Sequence, residues 1–312
     1  MPPAKMHAHE ADIDTPLVRR LLAAQFPDWA HLAVEPVDSN GTVNAIYRLG
    51  DDMAVRLPRI EGGVDDVRRE VLHLPRLAPS LPVAIPAPLG QGEPGEGFPW
   101  PWYVYRWLEG ENPVVGEMVE PGLFAADLAE FVMALQRVDP AGAPAAYRSG
   151  PLASRAADTR EAIAQLHGVI DTDAATAAWD AALCAPRWDG PPVWVHADLQ
   201  PGNLLTADGR LSAVIDFGCL GHGEPAVDLI TAWSLLTADA RETFRAATGV
   251  DDATWARGRG WALSIALIEL PYYRTRNATI AKIARHVIDE VLADHARLAA
   301  QARLADHAGL KR

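Results

Sequence analysis

The chain has 312 residues, 49% hydrophobic and 22% charged, the ordinary balance of a folded protein long enough for two domains or two lobes around a large core. Its 41 Asp and Glu against 28 Lys and Arg give a net charge of -13, which argues against nucleic acid as a partner and leans weakly towards a cationic ligand. Cys184 and Cys219 are too few for a disulfide framework or a zinc site, and no run of about 18 apolar residues is present, so a soluble cytoplasmic protein with no membrane partner is expected.

Leu17, Val18, Leu21, Leu22 and Phe26 recur at helical spacing, predicting a helix over 14–26 with Thr15 as its cap ahead of Pro16. A strand over 32–37 leads into a turn, 38–44, whose Ser39, Asn40 and Gly41 let backbone N–H groups approach an anion. That turn is a candidate phosphate cover, with a plain hairpin as the simpler reading because G-x-G-x-x-G is missing. A strand at 45–49 and another at 53–58 follow. In the second, Ala54 and Arg56 share one face, leaving room for a base and then offering a charge for phosphates.

A helix over 64–74, ending near Pro75, carries Glu70, a candidate partner for Arg56 with a solvated surface position as the simpler reading. Residues 79–97 are rich in Pro and Gly and are expected to be a rigid, turn-filled connector. The aromatic run 100–107 predicts a strand ending at Gly110, after which alanine-rich helical periodicity takes over. Helices are predicted over 124–138, 152–170 and 173–184, the last capped by Asp171 or Thr172. Arg148 and its charged neighbours are assigned to solvated surface.

Residues 193–218 are expected to form a strand, a polar loop with Asp198 and Asn203, a turn at Asp208-Gly209, and a strand delivering Asp216. Three oxygen-bearing side chains at one hairpin edge suit a hard cation that is shared with substrate phosphates. From Asp228 onward the chain reads as helical, over 238–248, 254–270 and 280–307, with Pro271 breaking the series; Glu269, near that helix end, is a candidate for the acceptor site, with core packing as the simpler reading.

His196-x-Asp198-x-x-x-x-Asn203 followed by Asp216-Phe217-Gly218, Glu224-Pro-Ala-Val-Asp228 and the strand pair from Asn44 to Arg56 resemble the aminoglycoside phosphotransferase family. That kinase-like group takes in macrolide phosphotransferases and is similar to choline kinases. The resemblance covers about residues 30–275 and is most specific in its second half; Ala197 replaces the family's usual glycine, and Arg56 its usual lysine.

The resemblance implies an α+β, two-lobed protein-kinase-like fold. An N-lobe over 1–109 would hold an antiparallel sheet plus helix, and a larger, mostly α-helical C-lobe over 110–312 would hold the catalytic loop, metal site and acceptor site. It further implies Asp198 as the catalytic residue, Asn203 and Asp216 as Mg²⁺ ligands, and Arg56 on the phosphates of ATP or GTP with Glu70 as its partner. Arg106 and Leu108 would meet the purine edge with Tyr105 behind it, His196 would pack, and Asp228 would hold the catalytic loop. The implied activity is transfer of the γ-phosphate to a hydroxyl of an aminoglycoside-like or other hydroxylated small molecule. A choline- or homoserine-type metabolic kinase, a macrolide phosphotransferase and a pseudokinase remain as alternatives.

Overall fold

In the computed structural model, residues 10–37 and 43–309 are described, the side chains of 302 and 305–309 excepted. Ser39, Asn40 and Gly41 lie outside the described residues. The first helix, α1 (Thr15–Gln25), is capped by Asp14 rather than Thr15. Asp14 has the extended backbone that a cap requires, and its carboxylate accepts the Leu17 N–H at 2.8 Å, whereas Thr15 is already inside the helix.

Five antiparallel strands build the N-terminal sheet: β1 (Val34–Pro36), β2 (Asn44–Leu49), β3 (Met53–Pro58), β4 (Pro88–Gly92) and β5 (Trp102–Arg106), in the order β1-β2-β3-β5-β4. The alternation of β3 decides its two faces. Met53, Val55 and Leu57 join Leu17, Val18, Leu21 and Leu22 of α1 in one core. On the other face Arg56 stands opposite Tyr103, and Ala54 opposite Tyr105. That face is covered by α2 (Gly62–Leu77) through Val67.

Two sequence expectations change here. The proline-rich connector contains β4, an edge strand in which a proline leaves no ladder donor missing because it opens the strand. Helix α2 continues through Pro75 to Leu77, since a proline two residues from the helix end disturbs little of the remaining ladder, and Leu74 and Leu77 are wholly buried.

Beyond β5 the chain runs through Gly110 towards the helical part of the fold. This residue has φ +139°, and a Cβ there would lie 3.0 Å from Leu205 Cβ, Ser212 Oγ and Thr206 O, so this position requires glycine on both counts. Glu111 then pairs with Thr206 through two backbone hydrogen bonds, and Asn112 Nδ2 reaches the carbonyls of Gly202 (2.9 Å) and Leu204 (2.8 Å). The connection is thus tied to the loop that carries Asn203.

The second lobe is mostly helical: α3 (Pro121–Arg137), α4 (Ala156–Gln165), α5 (Thr172–Leu183), the four-residue α6 (Thr231–Ser234), α7 (Ala238–Thr248), α8 (Asp252–Tyr273) and α9 (Ala278–Gly309). The helix expected over 152–170 is shorter, because 152–155 form a 3-10 turn and the chain turns again after Gln165. Helix α5 starts at the Asp171 cap, and α8 absorbs Pro271 within its last turn. Two small ribbons, β6 (Val193–Val195) with β9 (Gly221–Gly223) and β7 (Leu204–Ala207) with β8 (Arg210–Val214), bracket the loop that carries Asp198 and Asn203. Trp179, Trp194, Trp233, Trp261 and Phe217 are fully buried in one core cluster. No described helix is long and apolar enough to cross a membrane.

Candidate active site

The loop after β6 is shaped by one buried carboxylate. Asp228 accepts the His196 N–H on Oδ2 (2.8 Å) and the Ala197 N–H on Oδ1 (2.7 Å). These bonds hold Ala197 at φ 64°, the left-handed region that glycine takes without strain, which explains why a glycine suits this place. His196 is fully buried, with its ring 4.5 Å from that of Phe217. Its Nδ1 accepts the Asp198 N–H and its Nε2 donates to Ile215 O at 3.1 Å; burial pushes its pKa below the ordinary value, so it is a neutral brace.

Asp198 emerges from this turn with both oxygens engaged. Oδ1 accepts from Arg148 Nη1 (2.9 Å) and Gln200 Nε2 (3.3 Å), while Oδ2 accepts from Asn203 Nδ2 (3.1 Å). The same Asn203 nitrogen bonds Asp198 O at 2.8 Å, which turns the Asn203 Oδ1 away from Asp198. The backbone N–H of Ile215 bonds Asn203 O (2.9 Å) and so sets Asp216 beside Asn203. Asp216 is itself left-handed (φ 59°), a conformation that Asp tolerates better than most residues.

From the sheet above, Arg56 reaches down into this group. Its Nη1 donates to both oxygens of Glu70 (2.8 and 2.7 Å) and its Nη2 to Asp216 Oδ1 (3.0 Å), so one guanidinium spans the cleft. With its amide oriented to satisfy its neighbours, Asn44 accepts from Arg56 Nη2 at 2.9 Å. Burial opposes the Arg56 charge, but Glu70 and Asp216 outweigh it and raise its pKa above the ordinary value. The Tyr105 hydroxyl donates to Glu70 Oε2 at 3.1 Å and completes the buried cluster. At the end of β5, Arg106 N bonds Ala87 O and Trp107 N bonds Asp52 O. Arg48 stacks on Trp107 at 4.2 Å and pairs with Glu109, pinning the segment that holds Leu108.

Asp216 and Asn203 offer two oxygens from adjacent residues, the donor set of a hard cation that takes its remaining ligands from phosphate and water. No group of three His, Cys, Asp or Glu residues among those described is arranged to hold a metal ion of any kind by itself, so a cation here would take most of its ligands from outside the protein. An amide and a carboxylate oxygen fit Mg²⁺, which is commonly held by one or two such side chains together with substrate phosphates.

Two residues whose simpler reading from sequence is a bland one belong to this site. Arg148 is not solvated surface; it is largely buried and paired with Asp198. Glu269, near the end of α8, is not simple core: its Oε1 accepts from Gln200 Nε2 (3.1 Å), the nitrogen that also touches Asp198. It lines a narrow crevice with Gln200, Ser234, Ile265 and Ile283. Neither residue follows a local pattern: Arg148 lies 50 residues before its partner, and Glu269 lies 69 residues beyond Gln200.

Burial, reinforced by Asp198, pushes the Glu269 pKa from 4.5 to about 7. Between those values the native protein binds more protons than the unfolded chain, so the stabilisation of the neutral form is lost as pH rises. Glu269→Gln is expected to melt above the wild type at pH 8, with the gap closing by pH 5 in a thermal denaturation series. A gap of equal size at both pH values would contradict the assignment. Burial likewise pushes Cys219, which adjoins Gly218, up to about 12, whereas Cys184 is exposed. Mild iodoacetamide treatment at pH 8 should label Cys184 alone, with Cys219 modified only after denaturation, as read by peptide mass spectrometry.

The sequence model of the phosphotransferase enzyme family matches residues 34–261. The chain belongs to that family. Membership makes it a phosphotransferase, and similar solved structures supply the two-lobed, kinase-like architecture. The wild-type aminoglycoside 2'-phosphotransferase-IIIa in complex with GDP is 22% identical, with a TM-score of 0.73 over 91% of this chain and 100% of that one. The apoenzyme of macrolide 2'-phosphotransferase MphH from Brachybacterium faecium is 21% identical, with a TM-score of 0.58 over 86% and 98%. The streptomycin-ATP ternary complex of APH(2")-IIa is 16% identical, with a TM-score of 0.57 over 89% and 97%. No curated protein sequence matches this phosphotransferase.

Proposed function

We propose that the protein transfers the γ-phosphate of ATP or GTP to a hydroxyl of a small acceptor bound between Asp198 and the α8 end that carries Glu269. The observation that carries this reading is the convergence of Asp198, Asn203 and Asp216 at one loop edge, directly beneath the Arg56–Glu70 pair. Phosphoryl transfer needs positioning and charge stabilisation more than covalent chemistry, and this arrangement is suited to both. Arg56 contacts the donor phosphates, Asn203 and Asp216 hold Mg²⁺, and Asp198 accepts and orients the acceptor hydroxyl. Mg²⁺, when bound, neutralises charge on the phosphates. The hinge runs through the 109/110 boundary, with Arg106 and Leu108 at the base edge.

An aminoglycoside-like acceptor is supported by the acidic balance of the chain, a net charge of -13, and by structural neighbours that bind kanamycin, gentamicin or streptomycin. The test is nucleotide consumption with ATP and with GTP against aminoglycosides, macrolides, choline and homoserine. Phosphorylation of an aminoglycoside is the expected result. Turnover on choline or homoserine alone would move the protein to a metabolic kinase, and nucleotide binding without turnover on any acceptor would refute the reading.

A further inference from the structure

The hydrogen bonds of Asp198 leave a defined opening. A carboxylate accepts at about four lone-pair sites, two on each oxygen. Oδ1 has both filled, by Arg148 and Gln200, and Oδ2 has one filled, by Asn203. We propose that Arg148 is a positioning residue that saturates Oδ1 of Asp198 and so directs the acceptor hydroxyl to the remaining site on Oδ2, the oxygen on the Asn203 side. This rests on the phosphotransfer reading above. It deepens that reading by naming the oxygen that receives the hydroxyl and the residue that selects it.

Arg148 is built for a fixed position. Its side chain is only 14% exposed, its guanidinium lies 5.3 Å from the Tyr147 ring, and the nitrogen that holds Asp198 also donates to Ala197 O. The left-handed turn at Ala197 presents that carbonyl, so the strain imposed by Asp228 is what gives Arg148 its second anchor. Gln200, two residues after Asp198, is neutral, so the cation beside the catalytic carboxylate comes from a segment 50 residues upstream. Oδ2 faces the residue that, with Asp216, would hold the metal. A hydroxyl donating its proton to Oδ2 is therefore turned from the acceptor site towards the donor phosphates, whereas one accepted at Oδ1 would point back at Gln200.

The test compares Arg148→Met and Arg148→Lys with wild type, using kanamycin as the acceptor and, if kanamycin is not phosphorylated, the acceptor found by the panel. Both phosphorylated acceptor and phosphate released to water are measured. For Arg148→Met the expected result is a fall in kcat of about 10²-fold, the size of effect that misplacing a reacting group produces. The nucleotide KM should be unchanged, and a larger share of nucleotide turnover should end on water. Arg148→Lys should lie between the two, and sub-denaturing guanidinium should restore part of the transfer in Arg148→Met. Unchanged transfer would overturn the proposal. So would a fall in transfer and hydrolysis in constant ratio together with a lower melting temperature, because a purely structural role predicts that. Wild type that phosphorylates no acceptor would sink the phosphotransfer reading itself, an outcome distinct from normal transfer by Arg148→Met.

Discussion

Asp198→Ala and Asp216→Ala are each expected to slow phosphate transfer by at least about 10³-fold while leaving a folded protein, an effect in the range seen when a general base or a charge-stabilising group is removed. Folding should survive because neither side chain belongs to the apolar core; Asp216 is 47% and Asp198 24% exposed. The two losses should also differ in kind. Asp216→Ala removes a proposed metal ligand and one anchor of Arg56, so nucleotide affinity should fall in the presence of Mg²⁺ and change little without it. Asp198→Ala leaves Asp216 and the Arg56–Glu70 pair in place, so nucleotide binding should stay near wild type while transfer is lost. Titration calorimetry with and without Mg²⁺, beside steady-state rates, reads this difference. Wild-type-like transfer by either variant would refute the assigned roles.

The parts of the protein legible in sequence are those in which chemistry and spacing coincide. The interval from Asp198 to Asn203 and the hairpin to Asp216 are local, so a loop-strand-turn-strand reading brings three oxygens together without knowledge of the fold. The pairing of Arg56 with Glu70 is legible through the kinase-like resemblance; spacing permits it, since strand face and helix lie 14 residues apart, but a lone helical Glu reads as readily as solvated surface. Strand β4 was hidden because its prolines and glycines give a turn-like composition, and its pairing with β5 depends on a partner the local sequence does not reveal. Arg148 is hidden for the same reason: a charged residue with no helical or strand period looks like solvated surface until the tertiary fold supplies its partner. Glu269 stands on a legible helix, but its contact with Gln200 is 69 residues distant and the helical period alone does not separate packing from the acceptor site. Asp14 shows the limit at short range, since a capping carboxylate and the threonine beside it are equally plausible until the backbone angle separates them.

Glu70→Ala is expected to be the most destabilising substitution in the N-terminal lobe, at about 3–5 kcal/mol, because removing one partner of a buried pair strands the other. Glu70 is wholly buried and Arg56 nearly so, and Glu70 carries two short bonds from Arg56 and one from the Tyr105 hydroxyl. Its loss leaves Arg56 with Asp216 and Asn44, and pulls the guanidinium towards the lower lobe. Chemical denaturation should therefore show a lower midpoint, and the nucleotide KM should rise because the phosphate-facing guanidinium is no longer held in place. The double variant Arg56→Met with Glu70→Leu separates the two consequences. Apolar residues of similar volume commonly replace a buried ion pair without loss of stability, so the double variant should recover most of the midpoint. It should not recover transfer, since the cation is gone. Recovery of both would mean that Arg56 serves only the fold, whereas recovery of stability alone means that the pair is retained because a charge held rigidly above Asp216 is what the chemistry needs.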